Sequence, residues 1–144
     1  MKVYHFCREQ DFRGIRSQGL TKGMIPTVQR MEEHTKRRYS HVLIQGWQWV
    51  TLDGDHDRQS WATRHLMKDD RTEYRFTLEI PEKEVNSLYD RERLLTVYPE
   101  VGPLFDGWEG SENWRVFRGS IPKYWIKAID QWQDGEWTAV EVRR

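Results

Sequence analysis

The first twenty residues constrain this chain most, because they commit it to a strand that runs straight into a helix. Val3-Tyr4-His5-Phe6 combines β-branched and aromatic residues and predicts a short β-strand. Phe12 and Ile15 stand three apart and share one face of the short helix that follows, with Leu20 packing beyond its end. Gly19 is placed to terminate that helix in a left-handed conformation, which costs glycine nothing. A strand fixes the direction of its side chains, and a histidine is a donor or an acceptor near neutral pH. His5 is therefore a candidate ligand-binding group, with a structural hydrogen bonder as the alternative.

At 144 residues the chain has the length of one ordinary domain, 1–144, enough to bury a core unaided. Its 23 basic and 23 acidic residues cancel, so no global field draws it to nucleic acid or to a membrane surface. No run of apolar residues is long enough to span a bilayer, and Met1-Lys2-Val3-Tyr4-His5 is unlike a signal peptide. The lone Cys7 rules out an internal disulfide and fits a reducing compartment, so a soluble cytoplasmic protein is expected. Only 37% of residues are hydrophobic, yet eight are tryptophan: 47, 49, 61, 108, 114, 125, 132 and 137. Such large rings are expected to supply much of the core, with stacking on a flat ligand as the alternative for some.

Residues 29–40 are strongly polar, with Arg30, Lys36, Arg37 and Arg38 against Glu32 and Glu33, a solvated segment or a basic patch. Residues 42–52 read as a strand region interrupted at Gly46 by a bulge or turn, followed by the turn Asp53-Gly54-Asp55-His56-Asp57. A helix is expected over 57–67. Residues 74–80 alternate cleanly and stop at Pro81, the clearest strand in the chain. Residues 82–95 suit a short helix or a loop, and 98–112, with two prolines, an irregular loop. The chain returns to β-structure at 114–117 and 125–130, then closes a hairpin through Asp134-Gly135. Strands with two early helices indicate an α+β domain on an antiparallel or mixed sheet.

Several chemical motifs are excluded by spacing. Asp53, Asp55 and Asp57 begin like a calcium loop, but its twelfth position is Arg64 where a bidentate Glu is required. An open Mg²⁺ site or a hydrated turn remains for those carboxylates. The five histidines lack zinc-site spacing, so no metal is expected. Cys7 shares a strand face with His5, which raises a Cys–His nucleophile pair as a further alternative.

Three ordered pieces then carry a resemblance. They are Tyr4-His5-Phe6 with Phe12, Ile15 and Gly19-Leu20; Trp49-Val50-Thr51-Leu52 leading into the helix at 57–67; and Glu112-Asn113-Trp114-Arg115-Val116-Phe117 ahead of Ile121-Pro122. Their order resembles the ADP-ribosyltransferase-like fold, and they span nearly the whole chain. The resemblance implies a split antiparallel or mixed sheet with a few short helices, holding NAD⁺ between the opening and second strands. His5 would bond the nicotinamide ribose, the neighbouring backbone at Tyr4 and Phe6 the nicotinamide amide, and Thr51 would support the pocket. Trp61 would stack on nicotinamide, and Glu112 would bond the ribose and stabilise the oxocarbenium-like charge. Counting back from Ile121-Pro122 brings Trp114 to the acid's position, unless a bulge at Gly119 restores Glu112. Cys7 stands where the family commonly has Ser or Thr.

The expected activity is NAD⁺-dependent transfer of ADP-ribose to a macromolecule, a protein acceptor above all, with Glu112 and His5 as the catalytic pair. The alternative of another class is a non-catalytic inhibitor on a degenerate version of the fold, acting through a Trp- and Arg-rich surface. A phosphotransferase of the same fold would draw on Arg37, Arg38, Arg64, Arg115 and Arg118.

Overall fold

The structure is a computed structural model and describes residues 1–30, 39–66, 70–106 and 108–140. Strand β1 (Lys2–Cys7) buries Val3 and Cys7 and leads into α1 (Glu9–Gln18), as its composition predicts. Acidic Glu9 and Asp11 in the first turn and Arg16 in the last complement the helix dipole. Phe12 stacks on Tyr74 at 4.2 Å and Ile15 packs against the same core. Gly19 ends α1 with φ 80° and ψ −166°, its N–H bonded to the Ile15 carbonyl. That is a glycine region but not the left-handed helical one expected. The reason is tertiary: Leu20 pairs with Ile121, and a Cβ on Gly19 would overlap the Ile121 carbonyl.

Seven strands form the main sheet: β4 (Trp47–Thr51), β5 (Tyr74–Glu79), β6 (Leu88–Tyr89), β7 (Trp114–Arg118), β8 (Ile126–Gln133) and β9 (Glu136–Val140) join β1. Their order is β6-β7-β4-β1-β5-β8-β9, and every neighbouring pair is antiparallel. A separate ribbon pairs β2 (Met24–Arg30) with β3 (Tyr39–Gln45). Helices α2 (His56–Leu66) and α3 (Arg91–Val97) complete an α+β fold with few helices. Among the described residues, no helix is long and apolar enough to cross a membrane.

Two apolar clusters cover the sheet. One gathers Val3, Phe76, Leu78, Ile80, Phe117, Ile121 and Ile129 with α1; the other gathers Trp47, Trp114, Val116, Leu94, Val101 and Phe105. The tryptophans divide accordingly. Trp47 and Trp114 are buried, Trp49, Trp108 and Trp125 sit partly buried at the rims, and Trp61 is exposed. Trp132 and Trp137 form their own edge-to-face pair across the β8–β9 hairpin.

Strand β5 shows the alternating burial its sequence predicts. The Asp134-Gly135 hairpin has positive φ at both turn residues, matching the twist a two-residue turn requires. The region 42–52 is two strands, because Gly46 turns the chain at φ 89° and bonds both Gly23 and Gly119. Strand β2 is not apparent in the sequence, since Pro26 interrupts it; a two-stranded ribbon has only edges and tolerates that proline. Residues 82–95 hold a 3-10 turn (Glu82–Ser87), β6 and the start of α3, and 98–112 contain a 3-10 turn (Pro99–Leu104) rather than plain loop. The basic residues Lys36, Arg37 and Arg38, and the expected helix end at Met67, lie outside the described residues.

Candidate functional site

Strands β1 and β4 are neighbours that share a single residue pair, Tyr4 opposite Thr51, whereas β1 pairs with β5 along its whole length. The sheet is thus two half-sheets joined at one seam. Beside the seam, His5 donates Nδ1–H to the Trp49 carbonyl at 2.7 Å, so a ring takes the place of missing ladder bonds. A carbonyl only accepts, which places the proton on Nδ1 and leaves Nε2 of the neutral ring as an acceptor. Burial pushes the His5 pKa down, outweighing the Trp49 carbonyl and Asp11, which favour the charged ring; Arg71 adds to the depression. A neutral imidazole with one lone pair to offer suits a hydroxyl donor.

Thr51 is buried, and its hydroxyl accepts the Asp53 N–H at 3.0 Å. Asp53 accepts the Asp55 N–H, and Asp55 in turn accepts the Arg58 N–H in the first turn of α2. This relay explains the acidic cluster: its carboxylates set the turn and begin the helix. Arg58 forks onto Asp53 through Nε (2.6 Å) and Nη2 (3.1 Å) and holds that carboxyl below its usual range. Among the described residues, no group of three or more His, Cys, Asp or Glu side chains is placed to hold a metal ion.

The Leu52 N–H donates to the Asn113 carbonyl at 2.9 Å and ties the end of β4 to the segment before β7. Glu112 stands there, exposed, in a 3-10 turn. It borders an open cleft of ≈ 350 Å³ with Leu52, Asp53, Arg58, Glu109, Gly110 and Asn113. Trp114, the other candidate for the acid's position, is buried edge-on to Trp49 in the second core. Along α2, Arg58, Trp61 and His65 follow at helical spacing. Trp61 stays 37% exposed, its ring 5.4 Å from Trp108 and 4.6 Å from His65.

Of the residues the sequence singles out, Thr51, Trp61 and Glu112 gather where β4 meets α2 and the segment before β7. Tyr4 adjoins Thr51 in register, but its ring packs on Gly54 under the Arg75 guanidinium. Phe6 lies 5.9 Å from Trp137 in the same packed group, which Arg75 closes by forking onto Asp130. His5 alternates to the face of Val3 and Cys7 and reaches β4 only through its ring, so it does not line the Glu112 cleft. The Cys7 thiol, pushed up to about 12 by burial, stays protonated and offers no nucleophile to a Cys–His pair.

Sequence reasoning missed Arg58, Trp108 and Glu109, whose proximity is created by the fold of the 108–113 segment onto α2. It also missed His56, stacked at 3.6 Å on Trp132 with Nε2 3.1 Å from the buried Thr72 hydroxyl. Asp70, two residues before Thr72, accepts its N–H and hydroxyl, a turn signature visible in the sequence. No known protein-family model matches this chain, and no curated protein matches it.

Proposed function

We propose that this chain is an ADP-ribosyltransferase-like enzyme that transfers ADP-ribose from NAD⁺ to a macromolecular acceptor, a protein above all. The observation that carries the reading is the seam: a central β1 parts from β4 after one residue pair, and His5 spans the gap with Nε2 left to accept. His5, outside the Glu112 cleft, would receive a ribose hydroxyl's hydrogen bond from the seam side while Glu112 would reach the same ribose from the cleft side, and the backbone at Tyr4 and Phe6 would hold the nicotinamide amide. Thr51 buttresses the turn that carries α2, on which Trp61 presents an exposed ring for nicotinamide.

In the reaction the glycosidic C1′–N bond breaks and its electron pair returns to the pyridinium nitrogen, so nicotinamide leaves neutral. An acceptor nucleophile bonds C1′ and gives up its proton to solvent water. Positive charge grows on the ribose between those events, and the Glu112 carboxylate interacts more strongly with it than with the ground state.

The test incubates the chain with NAD⁺ and follows nicotinamide release together with transfer of label to protein. Glu112→Gln is expected to lower release by at least about a hundredfold while keeping the wild-type melting temperature. His5→Ala should weaken NAD⁺ binding. Absence of both nicotinamide release and a thermal shift at millimolar NAD⁺ would overturn the reading. The exposed Trp61, with Arg58 and Arg64 on the same helix, would then stand as the binding surface of a non-catalytic protein.

A further inference from the structure

At the other end of β4 and β7 from the Glu112 cleft, two arginines converge on one ring. The Arg93 guanidinium lies 4.0 Å over the Tyr89 ring, and Arg118 Nη1 stands 3.5 Å from the Tyr89 hydroxyl. Arg118 also covers Trp47, its register partner on β4, and Trp47 meets Tyr89 edge-on at 4.9 Å. Tyr89 sits on β6, the outermost strand of the sheet, opposite Val116. The alternation of β7 thus brings Tyr89, Trp47 and Arg118 to one face, and the start of α3 delivers Arg93 to it.

Three other arginines are paired with carboxylates. Arg58 has Asp53, Arg75 has Asp130, and Arg91 has both Asp106 and Glu92 within hydrogen-bond distance. Neither Arg93 nor Arg118 has an ion-pair partner among the described residues, and both are exposed. The nearest carboxylate in sequence, Asp90, is committed to capping the Arg93 N–H at 2.9 Å. Arg93 uses Nη1 on the Leu88 carbonyl, and Arg118 uses Nη1 on the phenol. Most N–H donors of both guanidiniums are left over, and so is the Tyr89 hydroxyl proton. Two permanently charged groups held on one ring without a counter-charge repel each other, and an anion between them relieves that repulsion.

We propose that Arg93, Arg118 and Tyr89 form an anion site that takes a phosphoryl group. The chemistry favours phosphate over a simple halide, because the planar guanidinium matches paired oxygens and the phenol supplies a further donor. The site lies apart from the Glu112 cleft and stands independently of the transferase reading.

Isothermal titration of the whole chain with inorganic pyrophosphate tests it, at low salt and again at raised sodium chloride. Parallel arms use adenosine monophosphate and a short single-stranded oligonucleotide, to separate a free phosphate from a nucleotide or polynucleotide source. Pyrophosphate binding is expected, weakened at least about tenfold by Arg93→Gln or Arg118→Gln and less by Tyr89→Phe. It should also weaken with salt and be unchanged by Arg13→Gln on α1. The melting temperatures of all four variants establish that each is folded. Absence of binding by every phosphate probe, or binding indifferent to Arg93 and Arg118, overturns the proposal. Binding of the oligonucleotide alone would also overturn it, since two arginines at one ring do not explain a site that ignores free phosphate.

Discussion

The His5 ring is neutral at neutral pH, because loss of solvation disfavours its charged form more than the Trp49 carbonyl favours it. Its pKa lies below the ordinary value of 6.5, so between the folded value and 6.5 the unfolded chain binds more protons. Stability therefore rises with pH through that window and is lost as pH falls below about 6.5. Asp53 and Asp70 act lower. Arg58 holds Asp53 down, while Asp70 is held down against its burial by Thr72 and Ser60; both contributions vanish only as pH falls below the ordinary 3.8. Urea unfolding at about pH 7 and about pH 5.5 should thus show a loss on acidification that His5→Gln reduces. Equal losses in the two proteins would remove His5 as the cause. The same neutral ring is what a ribose hydroxyl would meet, so stability and the proposed binding role share one protonation state.

At the scale of elements, glycines separate local from tertiary demands. Gly135 has φ 79° in the β8–β9 turn, with open space where a Cβ would stand. Gly19 has φ 80° as well, and there a Cβ would also overlap backbone of the segment Ile121-Pro122. Gly135→Ala is expected to cost about 1 kcal/mol, the backbone strain alone, and Gly19→Ala at least about 2–3 kcal/mol. Denaturant midpoints measure both, and equal costs would show that the Gly19 contact relaxes freely. Strand β5 was legible because its apolar residues alternate and end at a proline; α1 was legible from Phe12, Ile15 and Gly19. Strand β2 was not, because Met24-Ile25-Pro26-Thr27-Val28 has no clean period and its pairing partner lies beyond the polar 31–38 segment.

For the whole molecule, the single pair Tyr4–Thr51 is the weak line of the main sheet. The half-sheet β6-β7-β4 and the half-sheet β1-β5-β8-β9 are each held by pairings of several residues, interrupted only by a register shift at Thr77/Leu78, so each is expected to open as a cooperative unit. Native-state hydrogen exchange should resolve two classes of protected amides, divided between β4 and β1, with different opening free energies. One common opening energy across the seam would mean that the two apolar clusters lock the halves together. Such a seam is where a ligand finds backbone groups unclaimed by a ladder, which is why the proposed NAD⁺ site is placed there.

The local elements are legible in the residues alone: the opening strand and helix, the alternating β5, the helix around Asp57, the Asp134-Gly135 turn. The sequence also marked His5, Thr51, Trp61 and Glu112 as residues in search of a site. These follow from periodicity and turn chemistry, which act over a few residues. The assembled fold settles that β1 lies between β4 and β5, that Trp114 is core while Glu112 borders a cleft, and that Cys7 is sealed in. It alone brought Arg58 to the Glu112 segment and Arg93 to Arg118. Strand neighbours and charge partners distant in sequence are chosen by which apolar faces can be buried together, and that choice has no local signature.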